Sequence, residues 1–289
     1  MSLLRKANSL QFIMPYAEKW WGMSDTKQLL KRLTWSAILI AVAVYTIFLS
    51  PWWLFLLVIE AFVILGLIEY FNLAQKKDFF INRYLGLTFG ALLPLQCYFP
   101  GEAVILTVAI LCLFIFNFHR HLKAHAIVST ALTLFGLIYV AWFFSFLTKI
   151  RALPHGALWI FYVIFIIKAG DAAAYFIGKN FGTHKYIVHI SPNKSVEGAV
   201  AGFLVTVALS LLSKLYLVHT PLSHLVVLGI VFGVLGQLGD LAESLLKRDA
   251  GVKDSGNIPG LGGILDVIDS LLLTMPVLYY YLTTMQGLI

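Results

Sequence analysis

Two carboxylates, a hydroxyl and an ammonium group follow one another in the segment GQLGDLAESLLKRDAG (236–251), at the end of a long apolar run. Asp240, Glu243, Ser244 and Lys247 are spaced i, i+3, i+4 and i+7, so a helix would carry all four side chains on one face. Asp240 lies about two turns before the basic end of the run, where a carboxylate needs a partner or a proton. A simpler interpretation is a helix end that emerges into water with a Glu243–Lys247 ion pair.

A glycine-rich turn leads into the last helical pattern, in SGNIPGLGGILDVIDSLL (255–272). Gly262 and Gly263 let backbone N–H groups approach a ligand closely, and a helix N-terminus adds partial positive charge, which together suit a phosphate. Ordinary turns use the same residues, so this signal is weak by itself. Asp266 and Asp269 lie one turn apart at the start of the helix, where acids also simply stabilise the helix dipole.

Acids next to a phosphate cradle repel the anion unless a cation bridges the two. Asp240 and Asp266 beside Lys247, Arg248 and Lys253 therefore suit a magnesium ion that holds a polyphosphate. Carboxylate oxygens are hard ligands for the metal, and the bases take the remaining negative charge.

Two further segments carry charge close to apolar runs. Lys168 and Asp171 are spaced i, i+3 in IIKAGDAAAYFIGKNFG (166–182), where the pair serves a site or only neutralises itself. The small residues of that segment favour close helix packing. HISPNKSVEGAVAG (189–202) offers Lys194 as a second phosphate contact, or is a turn followed by a Ser-x-Glu helix start.

The sequence lacks the residues that several other kinds of site would need. His119, His121 and His125 have no carboxylate or thiol near them in sequence, which argues against a zinc site. Cys97 and Cys112 lie in apolar runs and are expected to be buried free thiols. The chain has no nucleophile elbow, P-loop or dinucleotide-binding fingerprint, which disfavours a serine hydrolase and a P-loop ATPase.

The elements that must position these residues are membrane helices. The chain has 289 residues, of which 60% are hydrophobic and 12% charged, with a mean hydropathy of +0.87. Such a composition cannot cover a soluble core and predicts an all-α, polytopic integral membrane helix bundle. Nine apolar runs are about long enough to span a bilayer, at 33–50, 52–73, 84–99, 102–118, 127–148, 157–178, 197–218, 222–246 and 264–284.

We divide the chain into an interfacial N-terminal segment (1–32), a first group of transmembrane helices (33–156) and a catalytic transmembrane region (157–289). If the N-terminus is cytoplasmic, 17 of the 21 Lys and Arg residues fall in cytoplasmic segments, and only Lys149 and Arg151 lie outside. This skew predicts the orientation and accounts for the net charge of +7 without nucleic acid. The polar stretches 179–196 and 247–263 then share the cytoplasmic side and can meet in one site.

The segment SLLKRDAGVKDSGNIPGLGGILDVID (244–269) resembles the signature of phosphatidate cytidylyltransferases, the CDP-diacylglycerol synthases. GDAAAYFIGKNFG and SPNKSVEG are similar to two further family stretches, so the resemblance spans roughly residues 170–270. Three features depart from the family pattern. Leu261 replaces a His, Val267 replaces an Arg, and the segment before Pro259 is one residue shorter.

The resemblance implies that CTP and phosphatidate react, with Mg²⁺, to give CDP-diacylglycerol and pyrophosphate at a bacterial cytoplasmic (inner) membrane. It also implies a second, monovalent cation such as K⁺ and a homodimer. Asp240 and Asp266 would be metal ligands, supported by Asp254, Asp269 and Asp171, and Ser244 would lie beside them. The expected phosphate-binding residues are Lys194, Lys247, Arg248, Lys253, Gly262 and Gly263.

Two alternatives stay open at this point. An ion-coupled transporter would use intramembrane charges such as Lys168, Asp171 and Asp240. A cytidylyltransferase that acts on another lipid phosphate would carry similar motifs.

Overall fold

The computed structural model describes residues 38–77, 79–98, 101–119, 126–256, 258 and 262–285, and it is an all-helical bundle as predicted. In the described residues β-pairing is confined to two isolated antiparallel bridges, Lys185 with Ser195 and Ile258 with Gly262. The predicted interfacial segment 1–32 lies outside the described residues, as do His121, His125 and Leu261.

Ten helices follow one another along the described chain. They are α1 (Ile38–Phe48), α2 (Trp52–Gln75), α3 (Arg83–Leu92), α4 (Glu102–His119), α5 (Ala126–Ala152), α6 (Gly156–Phe181), α7 (Val196–Leu212), α8 (Leu222–Asp249), α9 (Ile264–Leu272) and α10 (Thr274–Met285). Short 3₁₀ turns follow α3 and α7 at Pro94–Cys97 and Ser213–Leu215.

Each of the nine predicted apolar runs contains a helix, but six segments of the described chain are long and apolar enough to cross a membrane. These are α2, α5, α6, α7 with its 3₁₀ turn, α8, and α9 with α10. The third run is divided at Pro94, and the ninth is interrupted at Leu273. Pro276 explains the second interruption, because its ring excludes the carbonyl of Leu272 and it has no N–H to donate.

Close contacts between small residues hold α6 and α7 together. A Cβ atom added to Gly198 would lie 2.6 Å from Ala174 O, and one added to Gly202 would lie 2.8 Å from Gly170 O. The small residues of α6 therefore pack against α7 as the sequence indicated.

Candidate active site

The polar segments of the sequence lie together at one end of the bundle. Arg248 Nε, near the end of α8, donates a hydrogen bond of 2.8 Å to Ile190 O in the loop between α6 and α7. Lys77, which follows α2, pairs with Asp249 at 2.6 Å. The prediction that these stretches meet is therefore confirmed, and the end of α2 joins them.

Asp240 is paired and remains accessible. Its Oδ2 atom lies 2.8 Å from Lys194 Nζ, and its Oδ1 atom accepts a hydrogen bond of 3.4 Å from Ser244 Oγ. The Asp240 side chain is 37% exposed although it lies nine residues, or about 13 Å, before the end of α8. Burial raises the pKa of the Tyr186 phenol in the adjoining loop, and the Asp240 carboxylate raises it further.

Lys247 lies between two carboxylates, those of Glu243 and Asp266, and forms an ion pair with each. The Glu243 side chain is 0% exposed and that of Lys247 is 10% exposed. Asp266 Oδ2 also accepts hydrogen bonds from Ser255 N at 2.9 Å, Ser255 Oγ at 2.9 Å and Gly263 N at 2.7 Å. The Glu243–Lys247 pair is therefore buried and is not a helix end in water, and Lys247 links α8 to α9 through Asp266.

The N-terminus of α9 is capped by a carboxylate from the first group of helices. Glu69 on α2 accepts hydrogen bonds from Ile264 N at 2.9 Å and Leu265 N at 2.8 Å. It also shares the proton of the Ser255 hydroxyl with Asp266, because Ser255 Oγ lies 2.9 Å from an oxygen of each carboxylate. Carboxylates at a helix N-terminus satisfy free N–H groups and the positive end of the dipole.

The predicted phosphate cradle at Gly262 and Gly263 is therefore already hydrogen-bonded within the chain. Gly262 N donates to Ile258 O at 3.1 Å, and Gly263 N donates to Asp266. Gly262 has a φ of +87°, a left-handed conformation that favours glycine and gives the residue a structural reason to be there. A phosphate could use these two amides only by displacing the Ile258 carbonyl and the Asp266 carboxylate.

A third polar network joins α6 to α9. Lys168 Nζ lies 3.4 Å from Asp171 Oδ2 and 4.0 Å from Asp269 Oδ1, and it donates a hydrogen bond of 2.8 Å to Ser270 Oγ. Ser270 Oγ in turn donates to Asp171 Oδ2 at 2.9 Å. Lys168 and Asp171 therefore belong to a network that includes Asp269, and they do not only neutralise each other.

The described residues contain no group of three His, Cys, Asp or Glu side chains already placed to hold a metal ion. Their donor chemistry nevertheless fits magnesium, because carboxylate oxygens are its usual protein ligands. Asp240, Asp266 and Asp269 each face a lysine ammonium group, so each already lies beside a cation. Lys168 lies beside both Asp171 and Asp269, which brings carboxylates of α6 and α9 together.

The remaining predicted residues lie around this site. Arg248, Lys253 and Asp254 are exposed at its edge, where a soluble ligand can reach them. Val267, the position at which the sequence departs from an arginine, packs against the hydrophobic core and supplies no charge.

Glu69 is the main residue that the sequence analysis missed. It stands in LGLIEYFNLAQ (65–75), an acid near the end of an otherwise apolar helix. An ionisable side chain within a transmembrane helix is a functional candidate by itself, so this signal was present. Its partners are almost 200 residues away, which no local pattern could indicate.

We expect Glu69→Ala to lower the free energy of unfolding by about 1–3 kcal/mol, because two backbone N–H groups of α9 lose their acceptor. Activity should fall at least about tenfold as the start of α9 loosens. Thermal unfolding in detergent and turnover of the same preparation measure both effects. Glu60→Ala is the matched control on α2, since Glu60 Oε2 is buried without a hydrogen-bond partner in the described part of the chain. Equal unfolding temperatures for Glu69→Ala and the wild type would contradict the capping role.

Comparison with known proteins gives the same family as the motifs. Residues 30–285 match the model of the Cytidylyltransferase family. The phosphatidate cytidylyltransferase of Bacillus subtilis is 45% identical over 148 residues, which cover 50% of this chain and 55% of that protein. That of Chlamydia muridarum is 37% identical over 190 residues, 58% of this chain and 59% of that protein. That of Staphylococcus aureus (strain COL) is 40% identical over 151 residues, 51% of this chain and 57% of that protein. The chain thus spans little more than half the length of these relatives.

Proposed function

The chain belongs to the Cytidylyltransferase family, and from this premise we propose that it transfers the cytidylyl group of CTP to phosphatidate. The products are CDP-diacylglycerol and pyrophosphate. The relatives are named phosphatidate cytidylyltransferases, which supports the choice of these substrates. The paired charges at one end of an apolar bundle support a site for two phosphate-bearing molecules.

The observation that carries this proposal is the meeting of three lysines with carboxylates from several helices. Lys168, Lys194 and Lys247 come from α6, the following loop and α8, and each contacts at least one carboxylate. Such a site can receive anions on its lysines and a cation on its acids, which joining two phosphates requires.

In the proposed reaction an oxygen of the lipid phosphate attacks the α-phosphorus of CTP. The bond from that phosphorus to the oxygen that bridges the α- and β-phosphates breaks, and pyrophosphate leaves with the electron pair. The phosphate is already a nucleophile, so the site needs no serine–histidine pair. The protein's task is to bring the reactants together and stabilise the charge of the leaving group.

We assign Lys194, at the mouth of the site, to phosphate binding, together with Arg248 and Lys253 at its edge. Lys247 is the most buried base and holds α8 and α9 in register through Asp266. Asp240 and Asp266 would hold magnesium, with Asp254, Asp269 and Asp171 in support. When bound, the ion would neutralise charge on the reacting phosphates. The monovalent cation and the homodimer stay predictions from the resemblance.

We propose that the site faces the cytoplasm from a bacterial cytoplasmic membrane. The skew of Lys and Arg residues supports this orientation, because most of those that the structure describes lie at the end of the bundle that holds the site. The transporter alternative is not favoured. At the opposite end of the described bundle we find the Lys149–Glu102 pair, at 2.7 Å, and not a second cluster of carboxylates.

A direct test is to incubate the purified chain in detergent with CTP, magnesium and a set of lipid phosphates. We expect a chloroform-soluble nucleotide lipid with phosphatidate, and little or none with a polyprenyl phosphate. Product from the polyprenyl phosphate alone would move the assignment to another lipid. No product from any lipid phosphate would refute the proposal.

A further inference from the structure

Glu197, in the first turn of α7, reaches back across the loop between α6 and α7. Its carboxylate accepts a hydrogen bond of 2.7 Å from Thr183 Oγ1 and one of 3.1 Å from the backbone N–H of His184. The His184 side chain adds a third in the tautomer that carries the proton on Nδ1, because this atom lies 2.6 Å from Glu197 Oε1. Glu197 therefore ties the first residues of the loop to the start of the next helix.

Capping of α7 does not account for these contacts. The N-cap residue is Ser195, whose Oγ atom accepts a hydrogen bond of 3.2 Å from Gly198 N. The partners of Glu197 instead precede it by 13 and 14 positions in the chain. An acid that served only the helix dipole would need no partners so far back. The Glu197 side chain therefore has a role in the loop itself.

The two ends of this loop are also paired with each other. Val196 N donates a hydrogen bond of 2.8 Å to His184 O, and Lys185 forms the antiparallel bridge with Ser195. Lys185 Nζ donates a further hydrogen bond of 3.2 Å to Asn193 O. So short a two-stranded pairing is only marginally stable in water, and it needs additional contacts to stay closed.

The closed loop carries Lys194, which directly precedes Ser195. Lys194 Nζ lies 2.8 Å from Asp240 Oδ2 on α8, and the Lys194 side chain is 23% exposed, so its ammonium group stays accessible. A lysine on an open loop would reach this place less often, because both the backbone and the long side chain lose conformational entropy when they are fixed. Closing the loop lowers that cost before a substrate binds.

We propose that Glu197 is a positioning residue that acts on the substrate through Lys194 and not by touching it. By closing the loop it holds the Lys194 ammonium group beside Asp240, where a phosphate of CTP can bind to it. This inference rests on the proposed function. CTP is the expected partner because the loop carries exposed polar side chains at the end of the bundle, with that of His184 81% exposed, where a soluble nucleotide can reach it.

The test is a double-mutant cycle with Glu197→Ala and Lys194→Gln in the full-length protein in detergent. We expect Glu197→Ala to raise the KM for CTP about tenfold, as for one lost hydrogen bond to a charged group, with kcat and the KM for phosphatidate within about twofold of wild type. In the Lys194→Gln background the same change should raise the KM for CTP by less than about twofold, because the group that Glu197 positions is gone. Glu197→Gln keeps an acceptor oxygen and should restore part of the loss.

Limited digestion with trypsin measures the closing of the loop without any activity. Cleavage after Lys185 should be at least about tenfold faster in Glu197→Ala than in the wild type, because the loop opens more often. Glu102→Ala is the matched control, since Glu102 also lies in the first turn of a helix and pairs with Lys149 at the opposite end of the bundle. It should change neither the KM for CTP nor the rate of cleavage after Lys185.

Two results would overturn the inference. One is an equal rise in the KM for CTP in the wild-type and Lys194→Gln backgrounds, because Glu197 would then act independently of Lys194. The other is an unchanged rate of cleavage after Lys185 in Glu197→Ala, because the loop would then close without Glu197. A wild type that forms no product from any lipid phosphate would overturn the proposed function itself, and the cleavage rate would still decide whether Glu197 closes the loop.

Discussion

Asp240→Asn is expected to reduce cytidylyl transfer by at least about a hundredfold while the protein remains folded. The asparagine keeps the size of the side chain and removes the charge that faces Lys194 and would hold a cation. Loss of one charged group that acts on the reacting phosphates typically costs two to three orders of magnitude in rate. The Lys194–Asp240 pair is partly exposed, so its loss should change the free energy of unfolding by only about 1 kcal/mol or less.

The measurement is turnover at saturating CTP and phosphatidate, with the unfolding temperature of the same preparation. Asp249→Asn is the matched control on α8, because the Asp249 side chain is 60% exposed and pairs with Lys77 at the edge of the site. It should retain most of the wild-type activity. If Asp240→Asn kept more than about a tenth of that activity, the proposed role of Asp240 in holding the catalytic cation would be wrong.

Lys247→Met is expected to destabilise the protein most, by about 3–5 kcal/mol. It leaves the carboxylate of Glu243, which is 0% exposed, beside that of Asp266 with no ammonium group between them. Removing one partner of a buried ion pair strands the other charge in a medium of low dielectric constant. We expect a large fall in unfolding temperature and in the yield of folded protein.

A double variant distinguishes this cause from a simple packing defect. Glu243→Gln combined with Lys247→Met removes the stranded charge and should recover a large part of the lost stability. Activity should stay low, because Asp266 no longer has the ammonium group of Lys247 beside it. A double variant no more stable than Lys247→Met alone would contradict the buried-charge explanation.

Local patterns predicted the fold well where each helix follows one apolar run. The runs from 127–148 to 222–246 correspond to α5, α6, α7 and α8, because each is long, apolar and bounded by polar residues. The prediction was less accurate where proline acts within a run. Pro94 and Pro276 interrupt helices that hydropathy alone treats as continuous.

The site was predictable as far as its residues lie on one helix face or in one loop. The spacing of Asp240, Ser244 and Lys247 placed them together, and the orientation argument brought Lys194 to the same end. Whether the amides of the glycine turn are free to bind a phosphate was harder to predict, because a turn with free amides and a turn with hydrogen-bonded amides can have the same residues. The structure shows that Glu69 and Asp266 already accept hydrogen bonds from the amides at the start of α9.

The contribution of the first group of helices was not predictable from motifs. Glu69 lies outside the stretch that resembles the family signature, yet it caps α9. Contacts between residues more than a hundred positions apart follow from the packing of whole helices, which a local pattern does not record.

The central claim is that this end of the bundle joins a nucleotide to a lipid phosphate. The most direct test gives the purified protein phosphatidate, magnesium and CTP labelled either in the α-phosphate or in the γ-phosphate. We predict that the α-label passes into a chloroform-soluble product, and that the γ-label remains in water as pyrophosphate in equal amount. Both labels remaining in water, or the γ-label entering the lipid, would contradict the account.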